Sequence, residues 1–395
     1  HYMTGPGELQ WEKFLDPTSD SEYAIPTPYT DGIFDDLLTR EDDIAVAFET
    51  NRGCPYHCAF CDWGGVSRSK ITQLKDTAVK ETIEHVLSFD NVKRLEILDA
   101  NYGILPRDVE FVQHIVDNKT RDDMMLTFAG FAKNGSPHLA KIMNLTMDNF
   151  NDKLRNVKIS LQTLTPAVLD TIQRKNISTD KLLSIIDELR DVKVNSELII
   201  GLPGETADSW ADTLFKHPEL GIDFARSYPL YVLPNTPMAT NEYKEEHRIQ
   251  TKKIILPNKE QFEMIYECSS YDLNEITQIY LNWWYFNTFY NFGIDKTITK
   301  DTMKDFFENL SDMPFISCCV EEVKLSLARI FTPAPQLNLE GYDLRYLHKN
   351  LGRGKELIYF KDNIDTVRSE LGMPKLNIKN DYMELSSPFA HIKEK

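Results

Sequence analysis

Short apolar runs recur along the first part of the chain, and each one is followed by a segment whose apolar positions have helical spacing. Apolar runs of about four to eight residues between turn signals are typical of buried strands. The predicted strands are Ile44–Phe48, Arg94–Leu98, Met125–Ala129, Lys158–Leu161, Val194–Ile200 and Arg226–Val232. Strands that alternate with helices predict parallel βα units.

Helix-start signals support this alternation. Pro106 precedes one apolar helix face, Thr165 stands before Pro166 as an N-cap, and Thr179 precedes a second apolar face. Because crossovers between parallel strands are right-handed, the six units are expected to curl into a partial (β/α)6 barrel. The predicted fold class is therefore α/β, with an α-helical C-terminal extension.

The alternation ends near residue 246. The stretch from Gln261 to Gly293 predicts a long helix that is rich in aromatic residues. Such a helix forms either the core of a small cap or a lid that excludes water, with Tyr285 and Tyr290 as the candidate lid residues. The predicted domains are an N-terminal linker or extension at 1–40, a partial barrel at 41–245, and a mainly helical cap or substrate domain at 246–395.

Candidate functional residues follow the carboxyl ends of the predicted strands, where parallel barrels hold their chemistry. In chain order they are the cysteine-rich run 50–65, Asp99 and Asn101, Lys133, Ser160 and Gln162, the turn Gly201–Gly204, and Tyr231. Two structural alternatives remain open. Asp99 and Asn101 are also suited to capping the helix at Pro106, and Gly201–Gly204 is also suited to a simple turn with Thr206 as a cap.

Three cysteines form a C-x3-C-x2-C triplet in the first of these segments: Cys54, Cys58 and Cys61. Thiolates this close together predict a soft-metal site. A structural zinc site is normally closed by four ligands, whereas a [4Fe-4S] cluster held by three thiolates leaves one iron free for a substrate. Zinc with His57 is the weaker alternative, because adjacent residues rarely bind one tetrahedral metal. The odd number of cysteines in the triplet argues against a disulfide framework.

The triplet, with the aromatic Phe60 before its last cysteine, resembles the signature of the radical S-adenosylmethionine (SAM) superfamily. The resemblance implies that the cysteines bind three irons of a [4Fe-4S] cluster, and that the amino and carboxylate groups of SAM bind the fourth. It also implies reductive cleavage of SAM to a 5′-deoxyadenosyl radical, which abstracts hydrogen from a substrate. Phe60 is expected to lie near the adenine.

Several segments within about residues 20 to 245 are similar to radical SAM enzymes associated with a cobalamin-binding domain, many of which are methyltransferases. These segments are Ile25–Asp35, Glu49–Gly53, Cys61–Gly64, Asp99–Asp108 and Leu233–Met238. The similarity fades beyond residue 245.

This resemblance also implies roles for single residues. The segment from Ser160 to Asn176 is similar to one that contacts SAM, with Gln162 toward the ribose and Arg174 toward the carboxylate, which a guanidinium matches with two parallel hydrogen bonds. Lys133 is a second candidate for the same anion. Asn101, Gly201 and Tyr231 are further candidate cofactor-binding residues.

The chain departs from the family pattern at two points. Many radical SAM enzymes have Gly-Gly-Glu after the second strand for the SAM amino group, whereas Asp99 stands here as a provisional replacement. A cobalamin-binding domain needs well over ~100 residues, yet about 40 precede the first strand. We therefore expect this chain to lack that domain, either as a piece of a longer protein, as the start at His1 suggests, or as a natural short form.

Net charge and cysteine content indicate which substrate class and which cellular compartment to expect. The formal net charge is −17, from 61 acidic and 44 basic residues, which argues against a nucleic-acid-binding protein and favours a small-molecule or peptide substrate. No apolar run is long enough to predict a membrane span. Six cysteines, three of them in the triplet, fit a reducing cytoplasm. The resemblance implies a reductant such as flavodoxin or ferredoxin.

Three hypotheses for function follow from the sequence. The first is a radical SAM enzyme of the cobalamin-associated type that acts on an unactivated carbon, with methyl transfer as one outcome. The second keeps the radical chemistry without cobalamin, for rearrangement or oxidation. The third is a non-catalytic iron–sulfur protein that carries electrons or acts as a sensor. Binding of SAM separates the third hypothesis from the other two.

Overall fold

The computed structural model describes residues 28–40, 42–63, 70–130, 136–151, 156–189, 192–255, 261–291, 293, 295–314 and shorter pieces up to residue 370. Internal contacts divide the chain into two compact units. The first unit is His1–Val157 with Asn176–Val192, and the second is Lys158–Lys175 with Lys193–Lys395. Lys133, a candidate SAM ligand, lies outside the described residues.

Strands and helices alternate through the first 230 residues. The strands are β1 (Ile44–Phe48), β2 (Asn51–Arg52), β3 (Thr72–Gln73), β4 (Val92–Ile97), β5 (Met125–Phe128), β6 (Asn156–Gln162), β7 (Lys193–Ile200), β8 (Phe224–Pro229), β9 (Tyr231–Val232), β10 (Gln250–Ile255), β11 (Gln261–Glu267) and β12 (Gln336–Asn338). The helices are α1 (Asp35–Leu38), α2 (Asp76–Leu87), α3 (Arg107–Asn118), α4 (Leu139–Asn149), α5 (Pro166–Thr171), α6 (Thr179–Glu188), α7 (Ala207–Glu219), α8 (Asn241–Glu246), α9 (Leu273–Phe286) and α10 (Lys300–Glu308).

The first unit is built on a parallel sheet in the order β1-β4-β5. Val46 lies opposite Leu95, and Leu95 lies opposite Leu126, so apolar residues of the three strands share one register. The connecting helices α2 and α3 bury Ile83 and Val112 against this sheet. Each such side chain contributes roughly 1.5–3 kcal/mol when fully buried, which explains why the apolar runs fold as strands here.

A short antiparallel ladder closes the base of the cysteine segment. β2 pairs with β3, with Asn51 opposite Gln73 and Arg52 opposite Thr72. The segment from residue 53 to residue 71, which contains the triplet, therefore begins and ends at one place, directly after the carboxyl end of β1.

The described residues of the second unit form two sheets. The first has the order β6-β7-β8, in which β7 and β8 are parallel and Leu198 lies opposite Ser227. The second has the order β12-β10-β11-β9, with β11 antiparallel to both β10 and β9. The predicted α/β fold class is confirmed, and the six predicted strands all occur, with ends that differ by a few residues.

The predicted long helix from Gln261 to Gly293 was wrong in its first part. Gln261–Glu267 forms β11, and α9 begins at Leu273, where the Asp272 carboxylate accepts hydrogen bonds from Asn274 N and Glu275 N at 2.9 Å. Phe262, Ile265 and Tyr266 fit a helical period, but polar and apolar residues also alternate at the start of this run. Antiparallel pairing with β10 decided for the strand.

The aromatic residues of α9 form core and not a lid surface. Tyr285 is buried, and its ring centroid lies 4.6 Å from Phe289 and 4.8 Å from Phe306. Tyr290 is also buried and donates a hydrogen bond from its hydroxyl to Ile222 O at 3.2 Å. Both residues stabilise the second unit. Among the described residues, no helix is long and apolar enough to cross a membrane.

Candidate active site

The cysteine segment starts with a turn that requires glycine. Gly53 has φ of 88°, a left-handed conformation that residues with a Cβ rarely adopt. Cys54 and Cys58 are buried, whereas Cys61 is half-buried, and Cys61 N donates to Cys58 O at 3.0 Å. None of the three forms a disulfide. A single short segment therefore presents three reduced sulfur donors.

The donor set of this segment fits an iron–sulfur cluster, because thiolates are the usual ligands of such clusters. His57 is exposed while its neighbour Cys58 is buried, which argues against the zinc alternative that used both. Within the part of the chain that the structure describes, no three His, Cys, Asp or Glu side chains are gathered into a metal-binding group. Cluster binding at the triplet stays a prediction. Phe60 is half-buried within the same segment.

The Asp99 carboxylate holds the strand end that leads into the triplet. Its Oδ1 accepts hydrogen bonds from Thr50 N at 2.7 Å and Asn51 N at 3.2 Å. Its Oδ2 accepts from Thr50 Oγ1 at 2.5 Å and from Asn51 Nδ2 at 2.6 Å. Burial raises the pKa of Asp99 to about 7, although these donors favour the carboxylate. Both oxygens are engaged inside the protein, which argues against a direct contact between Asp99 and the SAM amino group.

Arg107 binds both ends of the cysteine segment. From the start of α3, its guanidinium donates to Thr50 O at 2.8 Å and to Leu74 O at 2.7 Å. It also donates to Asp76 Oδ1 at 2.5 Å. Leu74 N in turn donates to Thr50 O at 3.0 Å. No pattern in the sequence had indicated Arg107. It lies beside a helix-opening proline, and that position gives no sign of contacts more than 30 residues away.

The loop after β4 is fixed by Asp108. The Asp108 carboxylate accepts hydrogen bonds from Gly103 N at 2.8 Å and Leu105 N at 3.0 Å. The Tyr102 hydroxyl donates to Asp108 O at 2.8 Å. Asp108 therefore satisfies the amides before α3, and the alternative in which Asp99 or Asn101 caps this helix was wrong. Asn101 itself is buried.

In the second unit, Ser160 and Arg174 lie together. The Arg174 guanidinium donates to the backbone oxygen of Ser160, and Ser160 Oγ donates to Glu197 Oε2 at 3.0 Å. Gln162, at the end of β6, has φ of 66°, so the chain turns sharply at the residue that the resemblance places beside the ribose. The structure thus brings Ser160 and Arg174 into direct contact, and the contacts of Ser160, Gln162 and Arg174 with SAM stay a prediction.

The turn after β7 is stabilised from within the second unit. Gly201 has φ of 85°, and its oxygen accepts a hydrogen bond from the Tyr271 hydroxyl at 2.7 Å. Thr206 caps α7 in a capping box with Ser209. The simple-turn alternative for Gly201–Gly204 therefore accounts for this geometry, and a cofactor contact of Gly201 remains a prediction.

Glu205 is a buried acid that the sequence analysis missed. Its carboxylate accepts hydrogen bonds from Thr163 Oγ1 at 2.8 Å, Thr165 Oγ1 at 2.9 Å and Ser209 Oγ at 2.5 Å. Burial raises its pKa. These contacts tie the end of β6 to the start of α7. A Glu directly after the Gly-Leu-Pro-Gly turn was the available signal.

Tyr231 lies on β9, which pairs with β11, and its ring centroid is 5.2 Å from that of Phe262. Burial raises the pKa of Tyr231 to about 12, so the phenol is neutral at physiological pH. The contacts place Tyr231 in the second sheet of its unit, and its role toward a cofactor stays a prediction.

A comparison with family models identifies the segment that carries the triplet. Residues 48–216 match the model described as the Radical SAM superfamily. The matched segment includes Cys54, Asp99, Ser160, Arg174 and Gly201.

Two relatives are methyltransferases by name. The chain is 34% identical over 236 residues to the cobalamin-dependent radical SAM methyltransferase TokK of Streptomyces tokunonensis, a match that covers 57% of this chain and 34% of that protein. It is 34% identical over 225 residues to the 2-(S-pantetheinyl)-carbapenam-3-carboxylate methyltransferase of Streptantibioticus cattleyicolor, covering 55% and 33%. The chain thus spans about a third of the length of these curated relatives.

More distant similarity is also present. A tRNA-2-methylthio-N(6)-dimethylallyladenosine synthase of Rickettsia bellii is 25% identical over 230 residues, which is 53% of this chain and 48% of that protein. Among solved structures, the radical SAM methyltransferase TsrM of Kitasatospora setae matches with a TM-score of 0.43 and 16% identity, covering 53% of this chain and 41% of that one. TM-scores of this size are too low to support inference about this chain.

The family match agrees with the residues that suggested it. The triplet, its aromatic neighbour Phe60 and the alternating strands and helices all fall within residues 48–216 or flank them closely. Residues 48–216 therefore carry a radical SAM domain, which confirms the predicted resemblance to this superfamily and supports the expectation that the chain is an enzyme.

Proposed function

We propose that this chain cleaves SAM reductively at a [4Fe-4S] cluster bound by Cys54, Cys58 and Cys61, and that the resulting radical chemistry serves methyl transfer to an unactivated carbon. The observation that carries the proposal is the cysteine triplet within the segment that matches the radical SAM model, directly after a strand end that Asp99 and Arg107 hold. The names of the two relatives at 34% identity support methyl transfer.

When bound, a cluster of this kind supplies one electron to the sulfonium of SAM and offers one iron to its amino and carboxylate groups. The chain itself provides three thiolates and a buried environment for two of them. Burial keeps water from a reactive species, which is a general requirement of radical chemistry.

Arg174 is the proposed partner of the SAM carboxylate, because a guanidinium matches a carboxylate with two parallel hydrogen bonds. Its bond to Ser160 O places the guanidinium beside β6. Gln162, next to this pair along the chain, is the proposed contact for the ribose. Phe60 is proposed to pack near the adenine.

The wider setting follows from composition and resemblance. A small molecule or a peptide is the proposed substrate, and flavodoxin or ferredoxin is the proposed source of electrons. The described cysteines form no disulfides, which supports a location in a reducing cytoplasm. Cobalamin is proposed to take part in the reaction if the outcome is methylation, as the name of one relative states for that protein.

The test is anaerobic reconstitution with iron and sulfide, followed by incubation with SAM and a strong reductant. We expect about four irons per chain and formation of 5′-deoxyadenosine, as in clusters of this type. Cys54→Ala, Cys58→Ala and Cys61→Ala are each expected to abolish cleavage of SAM, because no nearby thiolate replaces the lost ligand.

Cys268→Ala is the matched control, since Cys268 is also a buried free thiol but belongs to the second unit. It should retain both iron and activity. Stoichiometric zinc with little iron would contradict the proposal. A cluster that forms but neither binds nor cleaves SAM would indicate the alternative of an electron carrier or sensor. Analysis for S-adenosylhomocysteine and methylated products separates methylation from other radical outcomes.

A further inference from the structure

We infer that Asp99 and Arg107 form a clamp that holds both ends of the cysteine segment, residues 53–71, and thereby limits local opening around the triplet before any cluster binds. The inference deepens the proposed function and rests on it for the identity of the bound group. Asp99 and Arg107 are positioning residues in this assignment, since they act on the thiols through Thr50, Asn51 and Leu74.

Asp99 holds the amino-terminal end of the segment. It follows β4, the strand next to β1 in the parallel sheet, and its carboxylate reaches across to the residues that follow β1. It binds the backbone amides and the side chains of Thr50 and Asn51 at 2.5 to 3.2 Å. Asp99, Thr50 and Asn51 are all buried, so water does not compete for these bonds.

Arg107 joins the amino-terminal end of the segment to its carboxyl-terminal end. Its guanidinium binds the carbonyl oxygens of Thr50, before the segment, and of Leu74, after it. The Leu74 amide binds the same Thr50 oxygen, and the β2–β3 ladder lies between these contacts and the triplet. The Asp76 carboxylate, at the start of α2, supplies the counter-charge for Arg107.

In this arrangement, Asp99 and Arg107 anchor the segment, whereas its cysteines are the proposed ligands of the cluster. A mobile loop with three thiols loses conformational entropy when it binds a cluster, whereas a loop with fixed ends loses less. An amide at position 99 offers one acceptor oxygen and places an NH2 group against donors. Asp99→Asn is therefore expected to release the amino-terminal end. Arg107→Lys keeps the charge but loses the planar fork that binds two carbonyls at once.

The test uses the protein without cluster and measures the alkylation rate of each cysteine by mass spectrometry. In the unmodified protein, buried Cys54 and Cys58 should react slowly. In Asp99→Asn and in Arg107→Lys we expect their rates to rise at least about tenfold, because local opening sets the reactivity of a buried group. Cys268, buried in the second unit, is the internal reference and should keep its rate.

Matched control variants come from the opposite end of the same sheet. There Asp123 and Arg121 form a half-buried ion pair before β5, with Arg121 Nε 2.8 Å from Asp123 Oδ1, and Arg121 also donates to Asp90 O at 2.8 Å. Asp123→Asn and Arg121→Lys change the same groups by the same chemistry. The rates at Cys54 and Cys58 should stay within about twofold of the unmodified protein, because these contacts lie at the amino ends of the strands and the triplet follows a carboxyl end.

Two results of the alkylation experiment would overturn the inference. Unchanged rates at Cys54 and Cys58 in both clamp variants would overturn it. An equal rise at Cys268 in both variants would also overturn it, because that pattern reports general unfolding and not release of one segment. In reconstituted protein, the clamp variants should lose iron faster during gel filtration and show an altered low-temperature spectrum with SAM. The alkylation result does not depend on iron or SAM, so failure of the proposed function would leave it measurable.

Discussion

Gly130 is enclosed by the backbone of the loop that follows β4. A Cβ atom at this position would lie 2.6 Å from the Ala100 carbonyl oxygen and 3.2 Å from that of Asp99. The Gly130 oxygen also accepts a hydrogen bond from Tyr102 N at 3.0 Å. Neither partner is a flexible side chain, so the close approach of the two loops depends on glycine at this residue.

Gly130→Ala is therefore expected to lower the free energy of unfolding by about 1–3 kcal/mol, the usual effect of forcing atoms into a packed site. Urea unfolding, followed by circular dichroism, measures this change. Gly221→Ala is the comparison, because Gly221 has φ of 69° but no atom within 4 Å of an added Cβ. Its free energy of unfolding should fall by about 1–2 kcal/mol, from backbone strain alone. Alkylation of Cys54 that rises in Gly130→Ala alone would locate the damage in the first unit.

Arg174 combines a structural contact with a proposed binding role. Arg174→Ala should weaken SAM binding about ten- to hundredfold, because a hydrogen bond to a charged group contributes roughly 1.5–3 kcal/mol. Isothermal titration of the reconstituted protein with SAM measures the dissociation constant. The cluster absorbance should stay unchanged. The SAM dissociation constant of Arg174→Lys should lie between those of the unmodified protein and Arg174→Ala. An unaltered dissociation constant in Arg174→Ala would assign the residue to the support of Ser160 alone.

At the scale of elements, a π-helical turn after α9 supports β8. The turn comprises Asn287–Asn291 and presents the Asn291 amide to the strand. Asn291 Oδ1 accepts a hydrogen bond from Ala225 N at 3.1 Å, and Asn291 Nδ2 donates to Ala225 O at 2.7 Å. The side chain thus binds both backbone groups of one strand residue, as a neighbouring strand would.

Asn291→Ala is expected to destabilise the protein by about 2 kcal/mol, because two partly buried backbone groups lose their partners. Asn309→Ala is the matched control, since the exposed Asn309 amide only donates to Asp305 O within its own helix end. That change should stay within about 0.5 kcal/mol. Chemical unfolding of the two variants in parallel tests the difference, and equal midpoints would contradict the structural role of Asn291.

At the scale of the whole molecule, the charge bears on the choice of substrate. Sequence similarity reaches a tRNA-modifying synthase, yet this chain has a net charge of −17. Binding to nucleic acid depends on basic residues that displace counterions from phosphates. The acidic balance therefore favours a small molecule or a peptide over RNA.

We expect no saturable binding of tRNA at physiological ionic strength. Fluorescence anisotropy of labelled tRNA, measured from low to moderate salt, tests this expectation. A dissociation constant below about 10⁻⁶ M that weakens steeply with salt would show a basic surface hidden by the overall charge, because non-specific binding alone is at about 10⁻⁴–10⁻⁶ M. Such a result would shift the proposed substrate toward RNA.

The sequence alone determined the features that depend on local pattern. Short runs with apolar residues at strand spacing placed the six strands of the βα alternation to within a few residues, because buried positions alternate along a strand such as β7 and one segment shows that pattern by itself. The spacing of Cys54, Cys58 and Cys61 indicated a thiolate site, since ligands close together in the chain need no knowledge of the fold. Capping residues such as Thr206 were equally local.

Tertiary structure decided the features that join distant residues. The run Gln261–Glu267 fits both a helical and a strand period, and pairing with β10 selected the strand. Asp99 meets Thr50 across 49 positions, and Arg107 meets it across 57. In the sequence alone, Asp99 has the features of a ligand and Arg107 those of a residue at a helix start. Only the folded sheet shows that both bind Thr50. Hydrogen bonds of this kind depend on which strands become neighbours, and the pattern of a single segment does not contain that information.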